Sequence, residues 1–77
     1  MENVEKKHHP EVMHGEVVRL MKEDGYGFIR GLDGNEYYFQ QDGLTSGNWS
    51  DLDIGSRLRF KGQNGDKGLF AVSVSPS

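Results

Sequence analysis

Ser56-Arg57-Leu58-Arg59-Phe60-Lys61 alternates strictly between polar and apolar side chains, the period of a strand with one face buried. Four other short runs read as strands. Gly15-Glu16-Val17-Val18-Arg19-Leu20-Met21 is rich in β-branched and apolar residues. Tyr26-Gly27-Phe28-Ile29-Arg30 and Glu36-Tyr37-Tyr38-Phe39-Gln40 follow it, and Leu69-Phe70-Ala71-Val72-Ser73-Val74 comes last, closed by Pro76. Turn chemistry separates the runs. Lys22-Glu23-Asp24-Gly25 ends in the residue that tolerates positive φ, Gly31 to Asn35 contains Asp33-Gly34, and Gln63 to Gly68 is polar and glycine-rich. Gln41 to Gly55 is longer and irregular, with Leu44, Leu52 and Ile54 expected to tuck it onto the core. No segment long enough for a helix carries an apolar stripe at helical spacing. The prediction is an all-β domain of five short strands, which must curl or close to protect its edges. A five-stranded barrel and a small open sandwich both satisfy the pattern.

Strand alternation then sorts the side chains. In the second run Tyr26, Phe28 and Arg30 share one face, and Gly27 and Ile29 the other. Ile29 is the natural core residue, which leaves two rings and a guanidinium facing solvent. In the third run, Tyr37 and Phe39 pointing inward put Tyr38 and Gln40 on that same outer face. Tyr26, Phe28 and Tyr38 then form a flat aromatic patch on adjacent antiparallel strands. Unpaired bases stack on such patches, each contributing roughly 1–3 kcal/mol whatever its identity, because every base has a π-face. Phe70 shares parity with Val72 and Val74 and is assigned to the core. Arg57 and Arg59 are assigned to the solvated side of the fourth strand.

Charge changes how such a patch must work. Nine Lys and Arg against twelve Asp and Glu give a net charge of −3. A general electrostatic grip on phosphates needs cations in excess, so stacking has to supply most of any affinity. The 77 residues suffice for one domain with a small core. Cysteine is absent, which removes disulfides and thiolate metal sites. Residues 1–13 are polar and charged without periodicity and read as a mobile tail. His8, His9 and His14 lack the carboxylate or cysteine neighbours that complete a metal ligand set, and read as solvated side chains. The N-terminus has no apolar stretch of the kind a signal peptide or membrane span requires, which makes the cytoplasm the expected location. Neither catalysis nor a cofactor is expected. The chain has no Ser/His/Asp arrangement, no phosphate-cradling loop before a helix and no paired-carboxylate pocket. Gly25-Tyr26-Gly27 lacks the third glycine and following helix of a dinucleotide fingerprint.

Two motifs resemble a known family. Asp24-Gly25-Tyr26-Gly27-Phe28-Ile29 is similar to the first ribonucleoprotein motif of bacterial cold-shock proteins, Lys-Gly-Phe/Tyr-Gly-Phe-Ile. Tyr37-Tyr38-Phe39-Gln40-Gln41 is similar to the second, Val-Phe-Val-His-Phe. The likeness runs from His14 to about Val74 and includes Gly15, Val17, the Leu52-Asp53-Ile54-Gly55 turn, Phe60 and Lys67-Gly68. An RNA-recognition-motif domain has its motifs in the opposite order with helices between them, so the cold-shock arrangement matches better. The resemblance implies an antiparallel OB-fold barrel over residues 14–77. It implies a monomer that binds single-stranded RNA or DNA, with no membrane or small-molecule partner, and by analogy an RNA chaperone. Family stacking positions remain aromatic at Tyr26, Phe28, Tyr38 and Trp49. They are replaced at Arg19, Gln40 and Gln41, and the lysine that opens the first motif is Asp24. Arg19, Arg30 and Lys67 are expected at phosphates or base edges, and Gln40 at a base edge. Trp49 has two roles open to it, capping the binding face or plugging the barrel end. The substitutions predict weaker binding than a typical member, or a shorter or more selective site. The alternative is a barrel that lost nucleic-acid affinity and serves as a protein interaction module.

Overall fold

The structure, a computed structural model, describes residues 12–77. Most of the segment read as a tail, including His8 and His9, lies outside the described residues. Its last two members, Val12 and Met13, already belong to the first strand. The strands are β1 (Val12–Met21), β2 (Tyr26–Gly31), β3 (Glu36–Gln40), β4 (Arg57–Gly65) and β5 (Gly68–Pro76). They close into a barrel in the order β1-β2-β3-β5-β4, which decides between barrel and sandwich. Closure removes the exposed strand edges that a five-stranded open sheet would leave. Four seams are antiparallel, whereas β3 and β5 run parallel through Tyr38↔Phe70 and a bridge at Leu44↔Val74.

Val17, Ile29, Phe39, Leu58, Phe60 and Val74 fill the barrel, each at most 1% exposed. The long connection from β3 to β4 holds two short 3₁₀ turns, Gln41–Gly43 and Trp49–Asp51. Leu52 is buried and Leu44 packs against the core, as expected of them. Ile54 does not join them and is 62% exposed. The turn between β4 and β5 is tighter than its polar composition suggests. The strands stay paired to Gly65↔Gly68, leaving Asp66 and Lys67 at the tip.

Two irregularities determine which side chains face out. In β1 the register with β2 shifts between Val17 and Arg19, so Val18 is an extra residue. Strict alternation would send Arg19 inward with Val17; the bulge turns it out beside Phe28. In β5 the register with β4 passes from Arg59↔Ser75 to Lys61↔Val72, and Ser73 has φ 53°. A serine in the left-handed region is uncommon and marks the place where this strand is bent. Ala71 and Val74, three apart, are therefore both buried. Phe70 and Val72 are partly exposed and line the outer surface. The assignment of Phe70 to the core is thus corrected: parity counted back from Val74 fails across the bulge.

The β2–β3 turn is held by Asp33. Its carboxylate accepts hydrogen bonds from the Asn35 backbone N–H at 3.1 Å and the Tyr37 hydroxyl at 2.6 Å. The Tyr37 bond, followed by that from Asn35, holds the Asp33 carboxyl below the ordinary carboxylate range. The same bond pushes the Tyr37 hydroxyl up.

Candidate functional site

Strands β2 and β3 pair as Tyr26↔Gln40, Phe28↔Tyr38 and Arg30↔Glu36. No bulge interrupts either strand, so alternation holds. Gly27, Ile29, Tyr37 and Phe39 are buried, and Tyr26, Phe28 and Tyr38 are half-buried on the other face. Their rings form a triangle. Centroids lie 5.7 Å apart for Tyr26 and Tyr38, 5.8 Å for Phe28 and Tyr38, and 6.3 Å for Tyr26 and Phe28. The planes are tilted or edge-on, so the rings brace one another without covering one another. Gly27 allows the sheet to close beneath them. A Cβ there would lie 2.7 Å from the Arg19 carbonyl oxygen and 2.9 Å from the Phe39 ring.

Arg19 completes the face from β1. Its guanidinium sits 4.6 Å from the Phe28 centroid and reaches across β2 to Glu36, with Nη2 at 3.6 Å from Oε1. Arg30 donates to the other oxygen of the same carboxylate at 3.1 Å. Both arginine side chains are more than half exposed, so these pairs are screened by solvent. Gln40 flanks Tyr26 and is exposed. Tyr26, Phe28, Tyr38, Arg30 and Gln40 therefore come together on one surface, as the alternation predicted, and the β1 bulge brings Arg19 to join them.

Lys67 stands apart, at the tip of the β4–β5 turn. It lines an open cleft of about 840 Å3 that runs from Phe28, Tyr38 and Gln40 to the hairpin. Trp49 is not part of the ring triangle. Its Nε1–H donates to the Lys22 carbonyl at 3.0 Å, and its ring lies 5.6 Å from Phe39, which is 1% exposed. The ring thus packs on the barrel core while staying partly exposed at the end of the barrel. His14 lies on β1 with Nδ1 3.0 Å from Ser77 Oγ.

One residue of this surface escaped sequence reasoning. Arg19, Phe28, Tyr38, Phe70 and Gln63 are successive register partners across β1, β2, β3, β5 and β4. Phe70 therefore continues the aromatic row over the parallel seam. No local signal marked it: the bend at Ser73 that turns Phe70 outward follows from pairing with β4.

No protein-family model matches the chain. Two curated proteins of Lactiplantibacillus plantarum are similar to it. Cold shock protein 1 is 30% identical over 63 residues, covering 82% of this chain and 96% of that protein. Cold shock protein 2 is 29% identical over the same length, with the same coverage. Among solved structures, drosophila Unr CSD456 matches with a TM-score of 0.71 at 20% identity over 94% of this chain. That likeness concerns the fold, and this chain spans 29% of that one.

Proposed function

We propose that this chain, which belongs to the cold-shock protein family, binds single-stranded RNA or DNA by stacking bases on Tyr26, Phe28 and Tyr38. The family is one of nucleic-acid-binding domains. The observation that carries the reading is the ring triangle, half-buried on the face opposite Ile29 and Phe39. Three mutually braced rings accept unstacked bases without the rotamer loss that flexible side chains incur, and at Phe28 the base meets the Arg19 guanidinium as well. Arg19, Arg30 and Lys67 contact phosphates or base edges, and the Gln40 amide reads a base edge. Trp49 supports the face from the barrel end. Binding is transient and sequence-tolerant, suited to keeping RNA unpaired, and no bond is made or broken. The protein acts as a monomer in the cytoplasm. Among the described residues, no helix is long and apolar enough to cross a membrane.

A short oligo-dT or oligo-U titrated at low salt tests this. Amide shifts should localise to β2 and β3, and Tyr38→Ala should weaken binding by one stack, roughly 1–3 kcal/mol. Unchanged affinity would remove Tyr38 from the site. A protein interaction module is the second reading, favoured by the net charge of −3 and by the Glu36 carboxylate that already engages both arginines. No response at high micromolar oligonucleotide would favour it.

A further inference from the structure

Phe70 is the register partner of Tyr38, yet the two do not form a ring pair. The Phe70 ring leans the other way, over Gly65 on β4. A Cβ at Gly65 would lie 2.8 Å from Phe70 Cε1 and 3.2 Å from Cδ1, so the missing side chain is what seats the ring. Tyr38 and Phe70 are thus adjacent in the backbone and parted at their rings. Among the described residues Tyr38 pairs with Tyr26 and Phe28, and Phe70 pairs with no other ring. Both rings line the cleft over the β3–β5 seam, together with Val72.

The rim gives this slot a chemical preference. Asp42 from the first 3₁₀ turn and Asp66 from the hairpin tip line it, with Gln40 and Lys67. Two carboxylates repel a phosphate, so the occupant's sugar-phosphate backbone must lie outside, toward Lys67. Ionised carboxylates only accept hydrogen bonds. A planar group entering between the rings is therefore favoured if it presents N–H donors. Cytosine, adenine and guanine carry an exocyclic amino group with two donors, enough to serve both carboxylates, whereas thymine and uracil offer only the single ring N3–H.

We propose that Tyr38 and Phe70 wall a slot that takes one further base of the bound strand, and that Asp42 and Asp66 select there for a base with an exocyclic amine. This rests on the stacking reading above and extends it across the parallel seam. Continuity with the ring triangle favours a base over a protein side chain, since Tyr38 belongs to both.

Oligo-dT and oligo-dC of three and six nucleotides, titrated at low salt with amide shifts followed, test the slot. The six-nucleotide strands should bind more tightly than the three, with a larger step for dC than for dT, and should shift the Gly65 and Phe70 amides. Phe70→Leu should remove most of that length step, a loss of about tenfold or more for one stack. Gly65→Ala keeps every slot side chain and pushes the Phe70 ring toward Tyr38, so it should reduce the step as well. The double variant Asp42→Asn with Asp66→Asn should erase the dC preference and leave the step. A length step that survives both Phe70→Leu and Gly65→Ala overturns the slot while leaving the ring triangle standing. So does an equal step for dT and dC in the wild type overturn the selection by the acidic rim. Shifts at Phe70 from a tryptophan-containing peptide and from no oligonucleotide assign the slot to a protein partner and overturn it. Failure of every strand to shift β2 or β3 is a different result, which rejects the stacking reading itself.

Discussion

Glu36 engages two arginines from different strands, and the consequence reaches the ring face. Arg19 crosses over Phe28 on its way to that carboxylate, so its guanidinium lies above the ring a base would use. The contact is worth about 0.5–1 kcal/mol at an exposed site, and each exposed ion pair about 0–1 kcal/mol. A base arriving at Phe28 must displace the guanidinium or stack on it, and a phosphate must compete with Glu36 for both arginines. Glu36→Gln should therefore tighten oligo-dT binding at low salt, by up to about fivefold if the full value of one such pair is released. Equal or weaker affinity in the variant would show that Glu36 does not compete. Tyr26, Phe28, Tyr38 and Gln40 were legible on this face because β2 and β3 carry no bulge and their side chains keep a period of two. Arg19 reached the same list through family resemblance. Alternation alone sends it inward, and only the extra residue Val18 turns it out.

The β2–β3 connection illustrates how an element can be anticipated while its fastening is not. Asp33-Gly34 announces the turn, and Gly34 adopts φ 88° there. Alternation also sends Tyr37 inward, where it is 5% exposed. What neither signal conveys is that the Tyr37 hydroxyl reaches back to Asp33 at 2.6 Å and ties the strand to its own turn. The tie makes stability depend on pH. Asp33 titrates lower in the folded chain than in the unfolded one, so its contribution is present above the unfolded value of about 4. It is lost as pH falls through the depressed folded value. Tyr37 is shifted the opposite way, so its contribution is complete below about 10 and is lost as pH rises through the raised value. Tyr37→Phe should cost about 1 kcal/mol near neutrality. In urea melts the gap between wild type and variant should narrow at pH 3, and a gap of constant size would mean the bond does not contribute.

For the molecule as a whole, the net charge of −3 sets how binding responds to salt. The proposed phosphate contacts are Arg19, Arg30 and Lys67, and two of these already pair with Glu36. Counterion release gives a slope of about −0.7 in log K against log salt for each phosphate neutralised on a single strand, so three contacts limit it to about −2. A titration series in salt checks this directly. A slope well beyond −2 would mean that cations outside this face hold the backbone and that stacking is not the main source of affinity. Weak dependence of this kind is what the proposed stacking on a rigid barrel face requires.

Local sequence pattern by itself determined the five strands, the inward set Ile29, Tyr37, Phe39, Leu58 and Phe60, and the ring triangle, because alternation and turn chemistry act over a few neighbouring residues. Tertiary structure alone decided the closure of the sheet, the parallel β3–β5 seam, the tight Asp66-Lys67 tip, the seat of Trp49 on Phe39 and the outward turn of Phe70. These depend on pairings between residues far apart in the chain. A bulge such as that at Ser73 arises where two strands must meet in register around a closed barrel, and one strand read in isolation contains no record of its partner.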